Sequence, residues 1–174
     1  INVTADPFQN KKVRQAIAWS VDRERFCKTV LRGLAQPTCL MWPSHTWAYF
    51  KDLEGSIGYD LDRARALLKE AGLEKGFQTE ILTASKRQVG YGELAQILQA
   101  DLRKIGVTAR VVDVEVAIYD NRTLVKGDIV TMIHTYGRAG RDPGSLVTGA
   151  RAWTNGWKEG TVSYTHLTLP TIYS

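Results

Sequence analysis

Two cysteines and three histidines are all the thiol and imidazole ligands that 174 residues offer a metal. Cys27 and Cys39 do not form a CxxC pair, and His45, His134 and His166 stand apart from one another, so no zinc spacing arises and no metal site is expected. Two options stand for the thiols: a disulfide in an oxidising compartment, or separate buried side chains. Apolar runs are short as well. Charges interrupt each one before the roughly 18 residues that a membrane-spanning helix requires, and no such helix is expected. The first residues show neither an initiator Met nor the basic-then-apolar layout of a secretory signal, and the expectation is a chain whose beginning is missing. Catalytic signatures are equally scarce. Gly90-Tyr91-Gly92 lacks the third glycine of a dinucleotide loop, and residues 137–145 lack the lysine of a phosphate loop. Neither a nucleophile elbow nor a pair of catalytic carboxylates occurs. The expectation is a protein that is not an enzyme, with no catalytic residue and no cofactor.

What is present is ordinary globular material. Hydrophobic residues make up 44% and charged residues 24%, enough apolar side chain for one buried core and too much for disorder. The length suits one domain better than two. A net charge of +5 and a pI near 9.3 raise the alternative of a nucleic-acid-binding domain. The basic residues are interleaved with acidic ones, though, which describes a solvated surface better than a positive face, and no nucleic-acid partner is expected. An α/β hydrolase or transferase is a more distant alternative, for want of a convergent acid, base and nucleophile.

Periodicity supplies the fold. Val13, Ile17 and Ala18, then Phe26, Val30 and Leu31, predict two short helices in tandem, with Asp22 capping the second and Gly33 closing it. Residues 34–58 mix Pro37, Pro43, Gly55 and Gly58 with Trp42, Trp47, Tyr49 and Phe50, an aromatic-rich loop. Asp60 caps a strong helix over residues 61–71, with Ala64, Leu67, Leu68 and Ala71 on one face. A strand over 79–84, an amphipathic helix over 92–105 stopped by Gly106, and a valine-rich strand over 108–116 form a βαβ unit, whose strands must be parallel. A helix over 117–125 ends at Gly127, and an apolar strand is predicted over 128–136. The fold class is α/β, with a partly parallel sheet flanked by helices.

Three motifs resemble the peptide and nickel class of extracytoplasmic solute-binding proteins that serve ABC importers. Residues 6–23, including Asp6-Pro7-Phe8, Val13-Arg14-Gln15-Ala16-Ile17 and Asp22-Arg23, are similar to the family's "PF.d.rVRqAi..AiDR". Residues 59–72, from Tyr59-Asp60 through Leu67-Leu68 to Glu70-Ala71-Gly72, are similar to "YDp.kAk.LL.eAG". Residues 95–107, from Ala95-Gln96 to Ile105-Gly106-Val107, are similar to "Aq.iqadL.kiGi", and Gly127-Asp128-Ile129 matches "GdfD" imperfectly. Each alone is a capped amphipathic helix. Together, in order and over residues 1 to about 157, they are specific. The resemblance implies the carboxy-terminal lobe of a two-lobed periplasmic-binding-protein (Venus-flytrap) fold that closes on a small solute and hands it to a permease. Residues 162–174 are threonine-rich, lack Asp, Glu, Lys and Arg, and resemble the translated read-through of a sequencing adapter. They are expected to be non-native, leaving residues 1–161 as the lobe.

In a parallel α/β sheet, ligands sit beyond the carboxyl ends of the strands, which selects the loops over residues 85–92 and 135–145. In the first, Arg87 is a candidate; in the second, Arg138 is another, since a guanidinium forks onto a carboxylate or phosphate. For each the other option is a solvated arginine or a partner of Asp142. The second loop resembles the family's ligand loop, with Tyr136 in the aromatic place, able to stack on the solute. The resemblance puts an acidic clamp for a peptide's ammonium four residues before the proline, where this chain has Ala139. Asp142 is a candidate contact and equally a turn or helix cap. Trp42, with Trp47 and Tyr49, forms an aromatic wall or packs under its loop. Arg14, Asp22 and Arg23 read as scaffold, through local salt bridges or caps. The implied solute is peptide-like, or an opine, sugar or metal chelate. The implied partners are ABC-importer permease subunits, at the periplasmic or extracellular face of the membrane, which is touched only through the permease or a missing lipid anchor. A monomer is expected.

Overall fold

Three short polar side chains set where the helices begin. The computed structural model describes residues 1–40, 44, 47 and 49–133. Asn10 Oδ1 accepts from the Lys12 N–H at 2.9 Å to open α1 (Lys11–Ser20). Asp22 accepts from Arg25 N–H at 2.9 Å to open α2 (Arg23–Thr29), and Asp60 accepts from Arg63 N–H at 2.9 Å to open α3 (Leu61–Glu70). Arg14 and Arg23 are scaffold, as expected, but through carbonyls and not salt bridges. Arg14 donates to Phe8 O and Gln9 O at 2.6 and 2.9 Å, and Arg23 donates to Ala18 O at 3.1 Å.

The βαβ unit forms as the spacing predicts: β1 (Gln78–Thr83), α4 (Tyr91–Arg103) and β2 (Thr108–Asp113), with β1 and β2 parallel from Gln78 opposite Thr108 to Thr83 opposite Asp113. Their amino ends are pinned by a close backbone approach. Gly76 has φ 76°, and a Cβ there would lie 1.8 Å from the Gly106 carbonyl oxygen, so only glycine fits. Side chains alternate across β1. Ile81 joins Val13, Ile17, Leu68 and Leu102 on the face covered by α1, α3 and α4, whereas Leu82 packs with Tyr119 and Ile129 on the other. A sheet covered on both faces needs such a doubly apolar strand.

Three expected elements come out shorter or different. β2 stops at Asp113 and not near residue 116, because the Asp113 carboxylate turns to the loop after β1 and the Glu115 carbonyl already accepts from Tyr119 N–H to start α5 (Val116–Asp120). The helix predicted over 117–125 is α5 followed by a π-helical turn, Asn121–Lys126, where the Thr123 hydroxyl bonds the Tyr119 carbonyl at 2.8 Å and competes with the regular ladder. The strand predicted over 128–136 shrinks, among the described residues, to one parallel bridge between Leu82 and Met132. Just before this bridge, the Asn2 backbone and side-chain N–H groups donate to the carbonyls of Val130 and Ile129 at 2.7 and 3.0 Å. Residues 134–136 lie outside the described residues.

At the carboxyl end of α4, Asp101 is fully buried and joins three segments. It accepts from Asp22 N–H at 3.0 Å, from Arg25 Nη2 at 2.7 Å and from Lys104 Nζ at 2.9 Å. Lys104 also donates to Tyr59 Oη, and these two hydrogen bonds, to Tyr59 and to Asp101, raise its pKa. Charge buried at this depth is tolerated because both carboxylate oxygens accept hydrogen bonds and two of the three donors are cations.

Candidate functional site

Two parallel strands deliver their outgoing chain at the same edge of the sheet. Here residues 84–90 leave β1 beside residues 114–115 and α5, which leave β2. Three polar links join them. The Ser85 N–H and Oγ–H both donate to Asp113, at 2.9 and 2.6 Å, and these bonds hold the Asp113 carboxyl below its ordinary value. Lys86 Nζ meets Glu115 Oε1 at 2.7 Å, and that hydrogen bond raises the ammonium pKa. Arg87 Nη1 pairs with Asp120 Oδ1.

The third link differs from its neighbours in shelter. Lys86 and Glu115 are 73% and 63% exposed, whereas Arg87 and Asp120 are 29% and 38% exposed. The Arg87 guanidinium also lies over the Tyr119 ring, 5.5 Å from its centroid. Tyr119 is fully buried and donates its hydroxyl to the Ile133 carbonyl, so the ring is a fixed floor. A guanidinium held over an aromatic floor, at the carboxyl edge of a parallel pair, is suited to an anionic group of a small molecule.

Of the residues singled out from sequence, Arg87 takes this position. Trp42, Tyr136, Arg138 and Asp142 lie outside the described residues, as do His45, His134, Ala139 and residues 162–174. Trp47 is 84% exposed and Tyr49 is half-buried, so Trp47 does not pack under its loop. Cys27 and Cys39 are free thiols, and burial is the first cause that raises the Cys27 pKa. Sequence reasoning missed Asp113, Glu115, Tyr119 and Asp120. Extending β2 to residue 116 hid them, although the parallel-strand rule that selected residues 85–92 points equally to the chain leaving β2.

A cavity of about 460 Å³ lies elsewhere, between α2 and residues 37–59, bordered by Asp22, Arg23, Cys39, Glu54 and Tyr59. Several of its polar groups are engaged within the fold: Asp22 caps α2, Arg23 holds the α1 carboxyl end, Glu54 accepts from the Thr38 hydroxyl, and Tyr59 binds Lys104. Among the described residues no three His, Cys, Asp or Glu side chains converge as metal ligands.

An α/β lobe with charged loops gathered at the carboxyl edge of a parallel pair has an architecture of the periplasmic-binding-protein type. The chain belongs to the bacterial extracellular solute-binding proteins, family 5, which it matches over residues 1–157. It is 38% identical over 125 residues to the dipeptide-binding protein of Escherichia coli K12, covering 70% of this chain and 23% of that protein. It is 35% identical over 111 residues to the glutathione-binding protein of Salmonella typhimurium, covering 64% and 21%. Among solved structures, it resembles the periplasmic binding protein DppA of Helicobacter pylori in complex with the peptide STSA, at TM-score 0.77 and 30% identity, over 84% of this chain and 28% of that one. The chain therefore spans about a quarter of the length of these relatives.

Proposed function

We propose that this chain forms one wall of a two-lobed receptor that captures a small peptide-like solute outside the cytoplasm and passes it to the permease subunits of an ABC importer. The observation that carries the proposal is Arg87: a sheltered guanidinium at the carboxyl edge of the parallel pair, over a fixed aromatic floor, in a chain of the family 5 solute-binding proteins. A peptide's terminal carboxylate matches the guanidinium fork. Tyr136, Arg138, Asp142 and Trp42 complete the proposed ligand wall, and the second lobe supplies the facing one. Closure follows from contacts that the open form lacks. Opines, sugars and metal chelates are the other solute classes to test. The receptor works as a monomer at the periplasmic or extracellular face, without nucleic acid, and meets the membrane through its permease or a lipid anchor.

Thermal-shift screening of the full-length protein tests this. A true ligand present at about 100 times its Kd stabilises by about 2.7 kcal/mol. Dipeptides and tripeptides are expected to raise the unfolding midpoint, and Arg87→Gln to remove most of that rise without lowering the midpoint of the free protein. Absence of any shift with peptides, opines, sugars and chelates sinks the receptor assignment.

A further inference from the structure

We infer that Asp120 is a specificity-determining residue: a built-in counter-ion that occupies Arg87 in the unliganded lobe and must yield it to an acidic ligand group. This rests on Arg87 being the ligand's anion anchor, as proposed above.

Asp120 closes α5, and its carboxylate reaches across from the chain leaving β2 to the Arg87 guanidinium on the chain leaving β1. No other carboxylate is paired with Arg87 among the described residues. The neighbouring acids are engaged elsewhere, Asp113 by Ser85 and Glu115 by Lys86. A ligand carboxylate arriving at Arg87 therefore meets Asp120 already there. Two carboxylates on one guanidinium repel, so either Asp120 withdraws into water or the ligand binds beside a like charge. Both outcomes lower affinity for ligands that bring a carboxylate to Arg87 and spare ligands that bring none. Withdrawal is feasible because Asp120 is 38% exposed and can be rehydrated, and because Tyr119 keeps the guanidinium in place when its counter-ion leaves. Asp120 thus acts as a brake on weakly held acids, admitting those that gain further contacts.

The test uses the full-length protein with a panel of dipeptides and tripeptides, each as the free acid and as the carboxy-terminal amide, titrated against wild type, Asp120→Asn, Asp120→Ala and Arg87→Gln. Asp120→Asn is expected to tighten free-acid binding about 3- to 10-fold and to leave the amides unchanged within about 2-fold. Asp120→Ala should show the same sign, which keeps the test valid if either variant folds poorly. Unchanged free-acid affinity in both variants would make Asp120 a structural residue and overturn the inference. Weaker binding of peptides with a free amino terminus would overturn it too, by showing that Asp120 grips the ligand's cation. Arg87→Gln separates the two levels. Loss of the acid-over-amide preference there supports the anchor whatever Asp120 does, whereas an unaltered preference removes the anchor and the brake together. A wild type that binds no peptide in the panel overturns both.

Discussion

Helix α4 carries polar bridges at each end, and the two sets differ in depth. At its carboxyl end Asp101 is sealed from solvent and shared among an N–H, a guanidinium and an ammonium. At its amino end, residues 85–87 meet Asp113, Glu115 and Asp120 through groups that solvent reaches. Thirteen residues of helix, about 20 Å, separate the two. A buried carboxylate cannot lose a partner without leaving charge in a dry place, so it locks the lobe in one arrangement. A half-exposed pair opens at little cost because water replaces the lost partner. The first kind of bridge suits a scaffold, and the second suits a surface that must exchange partners with a ligand.

The largest expected effects lie at the scaffold end, where β1 and β2 begin. Gly76→Ala puts a methyl group against the Gly106 carbonyl and forces a side chain onto a left-handed backbone. A loss of roughly 3 kcal/mol or more is expected, read as a lower midpoint in urea unfolding. Asp101→Asn comes next. It deprives Arg25 and Lys104 of their shared counter-charge, and since both are about a third exposed the loss is smaller, about 2 kcal/mol. Neither change touches the carboxyl edge of the sheet, so surviving protein should keep its ligand affinity. A stability cost from Asp120→Asn equal to that of Asp101→Asn would erase the distinction between the two ends.

Much of the scaffold was legible from local pattern. Asp22 and Asp60 are caps, Gly33 and Gly127 close their segments with left-handed backbones, and the alternation of strand, helix and strand predicts the parallel pair. Each depends on neighbours a few residues apart. The Asp101 node was not legible, since Asp22 and Arg25 lie 79 and 76 residues away in sequence. Nor was the contact of Asn2 with Ile129, 127 residues away. At the candidate site, the rule for parallel strands found Arg87 but offered Asp142 as its internal partner. The partner among the described residues is Asp120, 33 residues away, and only the packing of α5 against β1 brings it there.

Acid provides a smaller, signed test of the shallow end. Asp113 has a folded pKa below its ordinary 3.8, with the Ser85 hydroxyl as the largest cause. A carboxyl with a depressed folded value contributes stability that is present above about pH 3.8 and lost as pH falls through the folded value. Asp113→Asn should therefore cost a constant amount, under about 1 kcal/mol for bonds this exposed, between neutral pH and pH 5 or so. That cost should shrink in stronger acid, where wild type protonates as well. A cost that grows on acidification contradicts the assignment of the two Ser85 bonds.

The smallest effect is expected one residue along, and it isolates what makes Arg87 different. Lys86 and Arg87 are consecutive cations on one loop, each paired with a carboxylate from the chain leaving β2. Lys86 extends into solvent with Glu115, where screening by salt weakens the pair and hydration replaces it. Arg87 lies on Tyr119, sheltered enough for a ligand charge to be felt. Lys86→Gln should leave the unfolding midpoint and the peptide affinity within measurement error, at low and high salt alike. Arg87→Gln should leave the midpoint nearly as it was and weaken free-acid peptides. If both substitutions weaken binding equally, and added salt abolishes the effect of each, the edge attracts anions only through its overall field, and the aromatic floor under Arg87 has no part in recognition.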